Sequence, residues 1–201
     1  MTTTASLVIT TGQPQGLLSS ALFGSGVGIP AQVGMPLIEL LCGRIGITPG
    51  YLDQRVQTIF VDGRTVDRPE DIRVTEHATV ALSAAMPGLM GATLRKGGLL
   101  AVFRKDISQR PTDRLEAGHH DTMVTLKLFN MVAKELGPML LQQGIWLKGP
   151  SLARHFAQLS PSALAAIDSV VWNGQSLPPD RLPAVAWPEG WIRLVVLSPS
   201  P

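Results

Sequence analysis

Short apolar runs separated by Gly, Pro, Asn and Asp recur along the whole chain, and two of them are near copies. Val56–Val66 (VQTIFVDGRTV) and Ile167–Leu177 (IDSVVWNGQSL) align at a constant offset of 111, so that Val56 meets Ile167, Ile59 meets Val170, Asp62 meets Asn173, Gly63 meets Gly174 and Val66 meets Leu177. Each is a β-rich stretch closed by Asp-Gly or Asn-Gly, pairs that tolerate positive φ at both centres of a type I′ turn. Both are predicted to double back as hairpins. Downstream, EHATVALSAAMPG (residues 76–88) and PEGWIRLVVLSPS (residues 188–200) alternate as half-buried strands do, with Val80 against Ile192 and Leu82 against Leu194. Upstream, Pro36 precedes LIELLCGRIG and Pro150 precedes SLARHFAQLS, each proline near the first turn of a predicted helix, where its missing N–H is harmless. Each half is expected to have one principal helix, ending near a second proline, Pro49 or Pro161. Two candidate strands precede each helix: SLVIT and IPAQV in the first half, VTLKLFN and GIWLKG in the second. Agreement at successive elements predicts a duplication.

The order of two strands, a helix, a hairpin and a last hydrophobic strand resembles the β-grasp or ubiquitin-like fold. The closer resemblance is to its small sulfur-carrier branch, the MoaD and ThiS-like proteins, carried by the strand-turn FVDGRTV and the later strand TVALSAAMPG. The resemblance implies an α+β protein with two tandem β-grasp domains, each a mixed sheet packed on one main helix. The first repeat is expected over residues 1–91, a basic hairpin and linker over 92–121, and the second repeat over 122–201. In the carrier family the last strand runs into a tail ending in Gly-Gly, whose carboxylate is adenylated and then thiolated. This chain ends VVLSPSP, and Pro199 and Pro201 do not suit that tail.

Composition narrows the class further. At 201 residues and 21.5 kDa the chain is long enough for one large domain or two small ones. Charged residues make up 16% and hydrophobic residues 45%, which excludes a polyelectrolyte or disordered chain. The mean hydropathy of +0.21 is high for a soluble monomer and favours a buried association surface. The lone Cys42, set in an apolar run, cannot form an internal disulfide, so a reducing cytoplasm is the expected compartment. MTTTASLVITTGQPQG lacks the basic start and compact apolar block of a signal peptide, and Gly, Pro and charges interrupt the most apolar windows. No transmembrane segment is expected.

The positive charge is concentrated between the repeats. Residues 92–114 hold six basic side chains, Arg95, Lys96, Arg104, Lys105, Arg110 and Arg114, against Asp106 and Asp113. Arg95, Lys96, Arg104 and Lys105 are the candidate anion- or partner-binding residues. The run ATLRKGG also looks like the basic Gly-Gly tail of ubiquitin-like proteins, making Gly97 and Gly98 a candidate processing site. The plainer reading of Gly97 and Gly98 is a turn between ATLRK and LLAVFRK. Phe103 is the one aromatic in this stretch, so no nucleic-acid partner is expected.

Candidate chemistry elsewhere is thin. His119, His120 and Asp121 are the densest set of potential metal ligands, but neighbours in sequence seldom converge on one ion, and no metal is expected. Cys42 is better read as core packing than as a nucleophile. Gly24, Gly26 and Gly28 lack phosphate-loop spacing and are expected to form a flexible hairpin loop between the first two strands. Trp146, Trp172, Trp187 and Trp191 all fall in the second repeat, where an exposed one would mark a partner surface. No catalytic triad, carboxylate pair or cofactor motif stands out, and no cofactor is expected. The function expected is a non-enzymatic protein-binding or scaffold module, acting on another protein or by self-association as a homodimer. Its alternatives are a carrier or modifier processed after Gly98, and an anion or nucleotide binder using the basic segment.

Overall fold

The computed structural model describes residues 5–14, 17, 20–84 and 120–199. The protein is α+β. In chain order the described elements are β1 (Ala5–Thr11), α1 (Ser20–Ser25), β2 (Val27–Gln32), a π-helical segment (Glu39–Arg44), α2 (Pro49–Gln54), β3 (Thr58–Val61), β4 (Arg64–Val66) and β5 (Thr79–Ser83). There follow β6 (Asp121–Phe129), α3 (Asn130–Gln143), β7 (Ile145–Lys148), α4 (Gly149–Ala157), α5 (Pro161–Ala165), β8 (Ile167–Trp172), β9 (Gln175–Ser176) and β10 (Trp191–Leu197). No helix among the described residues is long and apolar enough to cross a membrane.

The chain divides into two compact units, a central one of residues 23–135 and a C-terminal one combining residues 1–22 with 136–201. The central unit orders its strands β2–β6–β5–β3–β4, with β6 and β5 parallel and the other pairs antiparallel. The C-terminal unit orders its strands β7–β10–β1–β8–β9, with β10 and β1 parallel and the rest antiparallel. The sequence of directions is the same in both. In each unit the parallel pair joins the first strand of one half of the chain to the last strand of the other half.

Strand pairing therefore crosses the boundaries expected from the repeats. Ala5–Thr11, expected within residues 1–91, lies between β10 and β8, while Asp121–Phe129, expected within 122–201, lies between β2 and β5. Alternation cannot distinguish these arrangements. Leu7 and Ile9 on β1, and Val124, Leu126 and Leu128 on β6, present the same buried, period-two face that either sheet requires.

The two hairpins form where the Asp-Gly and Asn-Gly pairs predict them. Asp62 and Gly63 take φ of 50° and 78°, and Asn173 and Gly174 take 49° and 82°. Each turn then repeats one further device. The Asp62 N–H donates to the Thr79 carbonyl while the Thr79 N–H donates to Asp62 Oδ1 (2.9 and 2.8 Å). The Asn173 N–H donates to the Ser6 carbonyl while the Ser6 N–H donates to Asn173 Oδ1 (both 2.9 Å). The two matching turns thus grip β5 in one unit and β1 in the other.

The π-helical segment and α4 end at Arg44 and Ala157, a few residues before Pro49 and Pro161 as expected, but each proline also opens a further helix, standing at the first turn of α2 and α5 behind a capping hydroxyl. Thr48 Oγ1 accepts from the Tyr51 N–H and Ser160 Oγ from the Ala163 N–H, both at 3.2 Å. The glycines expected in a hairpin loop between the first two strands instead lie in α1 (Gly24), at φ +105° just before β2 (Gly26) and inside β2 (Gly28). β1 pairs with β10 and β8 while β2 pairs with β6, so there is no hairpin for them to close. α3, between β6 and β7, was not expected. Its buried Val132, Ala133, Leu136, Leu140 and Leu141 follow helical spacing, but Pro138 interrupts the pattern in sequence.

Candidate interaction face

The sheet of the C-terminal unit has one buried side. Leu7 and Ile9 on β1, Ile145 and Leu147 on β7, Val170 on β8, and Ile192, Leu194 and Val196 on β10 are all buried. Trp172, paired with Leu7, points to the same side, where its ring meets Trp187 edge-on at 5.0 Å between centroids. Trp187 in turn lies 5.6 Å from Phe156 of α4, and Phe156 5.4 Å from His155. Burial drives the His155 imidazole pKa down to about 4, because the charged form loses its hydration there. The Trp187 indole N–H is buried with no acceptor among the described residues.

Period two sends the alternate side chains to the opposite face. There β7 presents Trp146 and Lys148, β10 presents Trp191, Arg193 and Leu197 together with a buried Val195, β1 presents Val8, and β8 presents Val171 and, at its bulge, the exposed Asp168. Trp146 and Trp191 are half-buried, while Val171 and Leu197 are exposed at 36% and 42%. Across β7 and β10, Trp146 pairs with Arg193 and Lys148 with Trp191, an aromatic and a cation in each pair. Lys148 Nζ sits 5.4 Å from the Trp191 ring centre, within cation–π range. Arg193 Nη2 donates to the Gln143 carbonyl at 2.8 Å, at the end of α3. Gly144, at φ +97°, lets the guanidinium approach: a Cβ there would stand 2.8 Å from Arg193 Nε.

The residues singled out from sequence meet different fates. Arg95, Lys96, Arg104, Lys105, Gly97, Gly98 and His119 lie outside the described residues. Asp121 begins β6, exposed and paired with Gln32. His120 is brought to a group that the sequence did not suggest: its Nε2 is 4.0 Å from Glu76 Oε1, and His77 Nε2 is 3.6 Å from the same oxygen. All three side chains are more than half exposed, and among the described residues no set of three His, Cys, Asp or Glu is arranged to hold a metal. Cys42 is half-buried in the π-helical segment, beside the buried Leu40 and Leu41, and burial raises its thiol pKa.

A second polar cluster ties α3 to α2 in the central unit. Glu135 accepts from Tyr51 Oη at 2.6 Å and from Arg55 Nε at 3.3 Å, and pairs closely with Arg55 Nη2. Burial and the bond to Glu135 raise the Tyr51 pKa, whereas the Arg55 and Tyr51 hydrogen bonds lower that of Glu135. The bonded partners explain these shifts as a structural clamp.

The sequence pattern puts Trp172 and Trp191 in strands, where they lie, but does not say on which face. Register decides that, and the Trp146/Arg193 and Lys148/Trp191 pairing followed from no motif. Comparison with protein-family models, curated proteins and solved structures gives no significant match to this chain.

Proposed function

We propose that this chain is a non-enzymatic protein-binding module made of two ubiquitin-like, β-grasp repeats that have exchanged their first strands. Three correspondences support the duplication. The two units share one order of strand directions, with the first and last strands trading places between them, the turns at Asp62 and Asn173 make the same reciprocal pair of hydrogen bonds, and Thr48-Pro49 and Ser160-Pro161 cap equivalent short helices. The observation that carries the binding reading is the outer face of the C-terminal sheet. It holds two tryptophans, exposed aliphatic side chains and two cations on rigid strands, the composition of surfaces that anchor partners. A reducing cytoplasm, which suits the single Cys42, is the proposed setting.

Intact mass spectrometry of the protein isolated from its own cells, with cross-linked partners retained, tests this reading against a processed carrier. A full-length chain of 21.5 kDa, together with cross-linked adducts of that chain and another protein, is expected. A fragment ending at Gly98, as a conjugate or a thiocarboxylate, would replace the module with a carrier.

A further inference from the structure

We propose that the outer face of the C-terminal sheet binds an acidic segment of another protein, seating its apolar side chains on Trp146, Trp191, Val171 and Leu197 and its carboxylates on Lys148 and Arg193. This rests on the protein-binding reading and names the surface and the chemistry of the partner.

Charge selects the occupant. Of the paired outward positions, Ser6, Val8, Thr10, Trp146, Lys148, Ser169, Val171, Ser176, Trp191, Arg193, Val195 and Leu197, none is acidic; the one exposed carboxylate on these strands, Asp168 at the β8 bulge, is level with Thr10, Thr11 and Leu197 rather than with Arg193 and accepts from the Gly12 N–H. The face therefore offers cations with no carboxylate of its own among them, and a partner that covers it must neutralise them or leave them desolvated. A second copy docking through the same face would set Lys148 and Arg193 against their own counterparts, which costs affinity.

The rest of the surface argues for protein over nucleic acid. Lys148 Nζ lies over the Trp191 ring, so a base would have to displace it to stack there. Beyond the two pairs the accessible face is aliphatic, with the half-buried Val8 and the exposed Val171 and Leu197, and an aliphatic surface suits apolar side chains better than a phosphate backbone. The cations are also prearranged, Arg193 by the Gln143 carbonyl and Lys148 by the indole, so less side-chain entropy is lost on binding.

The test is selection of a random peptide library on the full chain, followed by NMR titration with an enriched peptide. Enriched peptides are expected to carry Asp or Glu beside Leu, Phe or Trp. Titration is expected to shift the indole signals of Trp146 and Trp191 and to leave those of Trp172 and Trp187 in place. Affinity should fall with added salt, and by about tenfold or more in Lys148→Glu and in Arg193→Glu. Because Arg193 also holds the end of α3, Val171→Glu serves as an independent variant, with amide dispersion checked in each. Enriched peptides without carboxylates, or binding unchanged in both Lys148→Glu and Val171→Glu, would overturn the assignment of this face and leave the protein-binding reading standing. Concentration-dependent shifts of the Trp146 and Trp191 signals without peptide would assign the face to a second copy and overturn the acidic occupant. If no peptide is enriched while oligothymidylate or phosphatidylserine vesicles shift those two signals, both readings fall. They fall equally if none of these probes binds.

Discussion

His155 carries the clearest electrostatic consequence at the scale of one residue. Its ring is 6% exposed beside Phe156, and burial lowers its pKa from an ordinary 6.5 to about 4. Between those values the unfolded chain holds more protons than the folded one, so stability falls as pH drops through that window. Above pH 6.5 the contribution is fully present, and below about pH 4 its loss is complete. Urea denaturation of the full chain, followed by the C-terminal tryptophans, should therefore lose up to a few kcal/mol between those limits. His155→Phe should flatten that part of the profile. An unchanged slope in the variant would assign the pH dependence elsewhere. Sequence alone gave His155 no special weight, because its burial comes from register and helix packing rather than from any neighbour in the chain.

The hairpin turn is the element whose chemistry was most legible. Asp-Gly and Asn-Gly reach the left-handed region at low cost, and both turns form at the residues where the pattern places them. The side-chain bonds from Asp62 to Thr79 and from Asn173 to Ser6 depend on which strand lies beside the turn, and that is not local information. Asp62→Ala and Asn173→Ala should each cost about 1 kcal/mol. Hydrogen exchange should locate the loss, with faster exchange at the Thr79 amide in the first variant and at the Ser6 amide in the second. α3 shows the opposite case. Its apolar spacing was present in the sequence, but Pro138 stands inside it, lacking the N–H that an uninterrupted helix would use. Restoring that donor with Pro138→Ala should raise the thermal midpoint, and a lowered midpoint would mean that the proline ring supplies packing that outweighs the missing bond.

At the scale of the whole molecule, the pairing of β1 with β8 and β10 and of β6 with β2 and β5 makes the halves of the chain dependent on one another. Residues 122–201 alone would lack β1, leaving the facing edges of β10 and β8 without the hydrogen bonds they make to it. That fragment is expected to give a poorly dispersed amide spectrum. Adding a peptide of residues 1–22 should restore dispersion, because it returns the missing central strand. A well-dispersed spectrum from residues 122–201 alone would show that the second half completes its sheet without β1.

The matching strand-turns and the alternation of the first and last strands are local properties, set by steric tolerance at the turn residues and by period-two burial. Residues alone were enough to determine them. Which first strand enters which sheet was decided only in three dimensions, since β1 and β6 satisfy the same alternation and parallel pairing joins strands distant in sequence. The same holds for the interaction face: Trp146, Lys148, Trp191 and Arg193 are scattered over 48 positions of the chain, and cross-strand register turns them into two neighbouring aromatic–cation pairs.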